Sequence, residues 1–199
     1  MGTKYFYPLE VMRLRNDAGV NNSSWGATYG MVRNGGTKPH QGWDLYAPVG
    51  TPAFAIASGV VQWVHNGGDY GKQVLVVVPR DVPVASGSDD TRTESIGAFY
   101  AHLSEVYVKE WDQVKGGQMI GRTGVTGNAS PSYPHLHFEL RTSATIPSGT
   151  DPFRGRMDPV EILGAYLLSC GSEQIGGEDL RQMVCTMPEN AAKPIEPRY

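Results

Sequence analysis

Five histidines stand at His40, His65, His102, His135 and His137, and two of their settings have the spacing of metal ligands. His40-Gln41-Gly42-Trp43-Asp44 sets an imidazole and a carboxylate four residues apart, with a glycine between them that removes side-chain bulk where the backbone must bend toward an ion. His135-Leu136-His137 sets two imidazoles at a spacing of two. Alternate residues of a strand point to one face, so both rings can enter one pocket. A hydrolytic zinc takes three protein ligands and keeps one position open. Neutral imidazoles with one carboxylate leave such an ion positive enough to acidify water toward a pKa of about 7. Either pair alone recurs by chance; the two together in one short chain point to a metal site. Phe99-Tyr100-Ala101-His102-Leu103 adds an apolar strand ending in a histidine, which by itself reads as a half-buried side chain. His65 closes Val60-Val61-Gln62-Trp63-Val64 without a sequence partner and reads as an edge or surface residue. A catalytic serine is unsupported, because no G-x-S-x-G occurs. So is a phosphate loop, because Gly116-Gly117 runs on into Gln118-Met119 without G-K-[ST].

The elements that must position these groups are short strands. The 199 residues are 40% apolar and 19% charged, with 25 Gly and 14 Pro. That mixture is too apolar for a disordered tail and too rich in breakers for a helix bundle. Residues 1–37 are loop-rich, with turn signals at Asn21-Asn22-Ser23-Ser24 and Asn34-Gly35-Gly36. Gly59 to His65 and Gln73 to Val78, separated by Asn66-Gly67-Gly68-Asp69-Tyr70-Gly71, read as a β-hairpin. Pro79 to Ser95 reads as a solvated insertion, and strands resume at Ile96 to His102, Met119 to Gly121 and Leu136 to Arg141. Asp158-Pro159-Val160-Glu161 opens a helix, with Asp158 as cap and Glu161 placed to reach back to a free backbone N–H. The expected fold is mainly β: a single antiparallel β-sheet domain at 38–163, a loop-rich N-terminal extension at 1–37, and a C-terminal extension at 164–199 with short helices.

Lys plus Arg number 17 against 20 Asp plus Glu, a net charge of −3, which lacks the basic excess of a nucleic-acid binder. No window reaches the 18 or more apolar residues of a transmembrane helix. The start, Met1-Gly2-Thr3-Lys4-Tyr5-Phe6-Tyr7-Pro8, has no apolar stretch or cleavage site of a signal peptide. Cys170 and Cys185 bracket one segment. Paired, they close a loop of about 15 residues worth roughly 3 kcal/mol, and they point to an oxidising place of action; unpaired, they are two buried thiols.

Several ordered motifs between about Pro39 and Leu163 resemble the lysostaphin/LytM-type zinc metallopeptidases, which cut the peptide part of bacterial peptidoglycan. They are the H-x-G-x-D of His40 to Asp44; Gly50-Thr51-Pro52 with Ala55, Gly59 and Val61; Tyr100-Ala101-His102-Leu103; the glycine-rich run Val114 to Gly127; and His135-Leu136-His137-Phe138-Glu139-Leu140. The resemblance implies a zinc cofactor (Zn2+) held by His40, Asp44 and His137, with His102 and His135 unligated beside the metal-bound water. His135 is implied as the base and His102 as the partner that stabilises the transition state. Some members carry a tyrosine shortly before the first zinc histidine; Asn34-Gly35-Gly36-Thr37 has none here, and the nearest preceding tyrosine is Tyr29.

The implied function is a zinc endopeptidase acting on peptidoglycan peptide stems outside the cytoplasm, with D-alanyl–diamino acid bonds expected before glycine bridges. Non-enzymatic relatives of this fold, activators or wall-binding modules, have lost zinc ligands, whereas all three are present here. The missing export signal suggests delivery into a rival's periplasm by a contractile secretion machine of the type VI kind, as an antibacterial toxin with a cognate immunity protein, or as a phage tail lysin.

Overall fold

The structure is a computed structural model and describes residues 3–15, 24–84, 91–142, 144 and 149–163, with the backbone of 168–169, 174–175 and 178–179 beyond them. Cys170 and Cys185 lie outside the described residues. The strands are β1 (Arg13–Leu14), β2 (Gly30–Arg33), β3 (Lys38–His40), β4 (Trp43–Tyr46), β5 (Pro52–Phe54), β6 (Gly59–Asn66), β7 (Lys72–Pro83), β8 (Thr91–Val106), β9 (Gln113–Val114), β10 (Met119–Thr123), β11 (His135–Arg141), β12 (Arg156–Met157) and β13 (Leu168–Ser169); the helix α1 is Val160–Leu163. The main sheet runs β13-β1-β4-β11-β8-β7-β6-β9, with β10 joining β5 to β8 and β12 lying against β11. Apart from the parallel β1–β13 contact its pairs are antiparallel, as expected for a mainly β domain. No described helix is long and apolar enough to cross a membrane.

Strand β11 is the centre of the arrangement. It pairs with β4 on one side and β8 on the other, and every one of its residues is buried. Its period-two pattern divides two kinds of chemistry between two faces. Leu136, Phe138 and Leu140 join Trp43 and Leu45 of β4 and Ala98 and Tyr100 of β8 in the main apolar core. His135, His137, Glu139 and Arg141 alternate with them and take the opposite face. A smaller cluster of Leu75, Phe99 and Ala101, with Trp63 and Tyr70 packed against it, shields part of that face from water.

Two local expectations need correction. Pro79 to Ser95 is largely strand: β7 and β8 stay paired from Val78 opposite Ile96 to Pro83 opposite Thr91. The prolines are tolerated because β6 leaves β7 after the Val60–Val77 pair, so beyond that point β7 is an edge and a missing N–H breaks no ladder bond. At α1, Asp158 does cap the helix, its Oδ1 accepting from the Val160 amide at 3.0 Å. Glu161, however, turns away to pair with Arg80 Nη2 at 3.2 Å instead of closing a capping box.

Gly42 is needed for a reason other than room for an ion. At the corner between β3 and β4 a Cβ on this residue would lie 2.2 Å from the Phe138 carbonyl oxygen and 2.9 Å from the Glu139 side chain. The corner can close against β11 only without a side chain, and that closure carries His40 toward Asp44. Gly42→Ala is therefore expected to destabilise by about 1–3 kcal/mol through overpacking, a fall in melting temperature of roughly 2–12 °C. Thermal unfolding of purified protein checks this; a melting point unchanged to within about a degree would show that the corner can be rebuilt around a methyl group.

Candidate metal centre

His137 of β11 stands in register with Asp44 of β4, and the corner at Gly42 brings His40 beside them. The three are buried, and one atom from each converges on the same small space. His137 Nδ1 is 2.8 Å from Asp44 Oδ1, His40 Nε2 is 3.1 Å from that oxygen, and the two nitrogens are 3.2 Å apart. The outward nitrogens have other partners. His40 Nδ1 lies 2.8 Å from the Thr28 carbonyl and His137 Nε2 3.0 Å from Glu139 Oε1. A carbonyl and a carboxylate can only accept, so each ring carries its proton outward and turns a lone pair inward. Two lone pairs and a carboxylate oxygen then face one another, an arrangement that repels unless a cation lies among them. Two imidazoles and a carboxylate make a donor set that suits zinc, so the residues fit that ion.

Electrostatics follow the same geometry. Burial opposes charge on Asp44, but His40, His135 and His137 outweigh it and hold the carboxyl well below its ordinary range. Burial likewise opposes charge on His137, yet hydrogen bonds to Asp44 and Glu139 prevail and raise it to about 9, so a second ring proton, on Nδ1, can supply the positive charge that the acceptors demand, and a metal cation binding there displaces it. With both carboxylates facing it, that position draws positive charge.

Glu139 is a site residue that motif spacing did not single out. It is fully buried, and its Oε1 receives both His137 and the Tyr70 hydroxyl, the latter at 2.9 Å. Its Oε2 accepts from Arg141 Nε at 2.7 Å and Arg156 Nε at 3.1 Å. Against the cost of burial, His137 and Arg141 keep its carboxyl ionised, far below the ordinary value. The signal was present in the alternation of four polar residues, at 135, 137, 139 and 141, with three large apolar ones.

His135 of β11 and His102 of β8 reach the same cleft beside His137. His135 Nδ1 faces the Tyr133 carbonyl at 2.9 Å, and Nε2 points inward, 3.6 Å from Asp44 Oδ1. His102 Nδ1 faces the Thr126 carbonyl at 2.8 Å, and its ring centroid is 4.8 Å from that of His135. Burial lowers both; for His135 the Arg15 guanidinium adds to burial and Asp44 opposes, bringing it to about 4. His102 gets there through an irregularity. Strict alternation from Phe99 and Ala101 would aim it at the core, but the β7–β8 register shifts at this point and His102 adopts φ 61°. A bulge of this kind re-aims a side chain, and a non-glycine residue in that region costs on the order of 1–3 kcal/mol. The amide of His102 bonds the Tyr70 carbonyl at 2.9 Å, which pins the bulge to the β6–β7 turn.

The resulting cleft, about 610 Å³, is lined by the four histidines, Asp44 and Tyr70 among others. Tyr70 and Tyr133 are the tyrosines that line it; Tyr29 instead stacks on Phe153 with centroids 5.0 Å apart. His65 is exposed on β6, opposite Gln73, and takes no part.

Residues 38–148 match the model of peptidase family M23. The glycyl-glycine endopeptidase ALE-1 of Staphylococcus capitis is 35% identical over 63% of this chain and 31% of its own length. The peptidoglycan DD-endopeptidase ShyA of Vibrio cholerae is 33% identical over 51% of this chain and 20% of its own. Among solved structures, the catalytic domain of lysostaphin from Staphylococcus simulans aligns at 27% identity, covering 82% of this chain and 92% of that one, with a TM-score of 0.47. The matched region spans less than a third of either of these two endopeptidases.

Replacing Glu139 by Gln keeps the shape of the side chain and removes the charge that orients His137. Zinc affinity, measured by competition with a chromogenic chelator, is expected to fall about 10–100-fold. Chelation should also lower the melting temperature of the parent protein, and added zinc should restore it. Unchanged zinc affinity in Glu139→Gln would mean that this carboxylate serves only to balance Arg141 and Arg156.

Proposed function

The chain belongs to peptidase family M23, and from that premise we propose that it is a zinc-dependent endopeptidase hydrolysing the peptide cross-links of bacterial peptidoglycan. In this reading His40, Asp44 and His137 hold the metal, His135 is the general base and His102 its partner. The observation that carries it is the convergence of three buried donor atoms, with two further histidines opening on the same cleft. Zinc in that position supplies Lewis acidity, making water more acidic and polarising the scissile carbonyl.

The protein groups do the rest. Each of the two unligated rings directs its Nδ1 to a backbone carbonyl, so Nε2, which in His135 also has Arg15 Nη1 at 3.5 Å, is the atom placed to exchange protons. Burial keeps both rings neutral near pH 7, which is the state a base requires. His135 Nε2 accepts a proton from the attacking water and returns it to the departing amine. Its ring lies close enough to that of His102 for the protonated member of the pair to stabilise the oxyanion that develops on the carbonyl. Tyr70 is anchored on Glu139 and walls the cleft without exchanging protons, since burial and the neighbouring carboxylate hold its hydroxyl well above the ordinary phenol value. Peptidoglycan lies outside the cytoplasm, so action there follows from the substrate. Bonds between D-alanine and a diamino acid are the preferred target, with glycine bridges as the alternative.

His135→Ala and His102→Ala are each expected to retain zinc at the parent stoichiometry and melting temperature. Release of soluble fragments from purified sacculi should fall by about 10²–10⁴-fold in each. Digestion by both variants at the parental rate would overturn the assignment and leave a zinc-stabilised binding domain in its place.

A further inference from the structure

The outer oxygen of Asp44 meets two guanidinium groups to which the hydrolytic chemistry gives no contact with substrate. Arg33 Nη2 lies 2.5 Å from Oδ2, and Arg15 Nη2 lies 3.2 Å from the same oxygen. One carboxylate, whose other oxygen is already turned to His40 and His137, therefore faces two cations. The remaining acid lining the cleft does not offset the surplus. Asp69 is exposed in the β6–β7 turn, on the β8 side of β11, whereas Arg15, which follows β1, and Arg33, which ends β2, both reach Asp44 of β4.

Neither arginine is a loosely held surface group. The Arg15 amide bonds the Asp44 carbonyl at 2.7 Å, and its Nη1 sits 3.2 and 3.5 Å from the two ring nitrogens of His135. Arg33 anchors Nε on the Gly26 carbonyl at 3.2 Å, and its side chain remains 37% exposed. Among the described residues its Nη1 has no partner. A guanidinium held at two points, on a side chain that lines the cleft and keeps a third donor group without a partner among the described residues, is preorganised for a carboxylate.

We propose that Arg33, supported by Arg15, is a carboxylate subsite at the β4 side of the cleft, so that the substrate is a stem peptide with a free carboxylate beside the scissile amide. An uncharged glycine bridge has no group for it. The inference rests on the peptidase reading above and names the substrate class of that same site. The carboxylate could belong to the side chain of a diamino acid or to the C-terminus of the stem; the chemistry of recognition is shared, and orientation follows from the charge pattern, since Asp69 at the far side repels it.

Calorimetric binding of synthetic tetrapeptide stems to the zinc-loaded protein separates the cases. The unmodified stem is compared with one amidated at the diamino-acid carboxylate and one amidated at the C-terminus, all other groups unchanged. One of the two amides is expected to bind at least about tenfold more weakly, as for loss of a charge-assisted hydrogen bond, and which one identifies the source. Arg33→Gln should reduce that ratio to within about twofold, and Arg33→Lys should retain part of it. Equal binding of all three stems, no binding of any, or full discrimination by Arg33→Gln overturns the subsite. Digestion of sacculi by the parent protein, run in parallel, keeps the two ideas apart: discrimination without digestion removes the peptidase reading alone, and digestion without discrimination removes the subsite alone.

Discussion

Lone pairs on two imidazoles and a carboxylate, turned toward one another among buried side chains, repel unless positive charge lies among them. That demand organises this protein. Thr28 and Glu139 impose it by taking the outward ring protons of His40 and His137, which leaves only acceptors on the inside. The sheet then has to hold those acceptors in place against their own repulsion. It does so by embedding β11 between β4 and β8 and burying every residue of that strand. An exposed strand could relax and let the ligands separate; this one is packed on one face against the main core and on the other against a ring of its own polar partners.

Those polar partners form a closed account. Glu139 receives His137 and Tyr70 on one oxygen and two arginines on the other, so a fully buried carboxylate is satisfied by four donors. Arg141 in turn lies over Phe99, its guanidinium carbon 3.7 Å from the ring centroid. A buried charge is tolerable only when paired and hydrogen-bonded in this way. The consequence for function is rigidity at His137, where a tilt of the ring would misdirect its lone pair. The same face also carries His135, so the ligand and the proposed base share one strand and one set of constraints.

Much of the site could be read from residue types and spacing because the relevant geometry is local. H-x-H in a strand places two rings on one face, and the sheet obeys that period of two. The polar–apolar alternation from His135 to Arg141 likewise announced a buried strand with chemistry on one side. Legibility failed where a neighbour's backbone decides. Pro79 and Pro83 looked like breakers until β6 was seen to depart, leaving an edge on which their missing N–H is harmless. Glu161 had the spacing of a capping box, but Arg80 of a distant strand offered it an ion pair. Arg15 and Arg33 carry no motif, and only the pairing of β1 with β4 and the placing of the separate β2–β3 hairpin turn them toward Asp44.

What the amino-acid sequence determined by itself was therefore the set of chemical groups, their pairing within strands and the mainly β character, all of which depend on intervals of two to four residues. Tertiary structure decided which pairs meet. His40 reaches His137 across 97 positions because Gly42 has no side chain to strike Phe138. His102 shows the division most sharply. Its strand pattern aims it into the core, and a shift of register between β7 and β8, with φ turned to 61°, swings it into the cleft beside His135. The reason is physical: alternation is a property of an undisturbed strand, whereas a bulge is set by where the neighbouring turn, here at Tyr70, can bond the backbone.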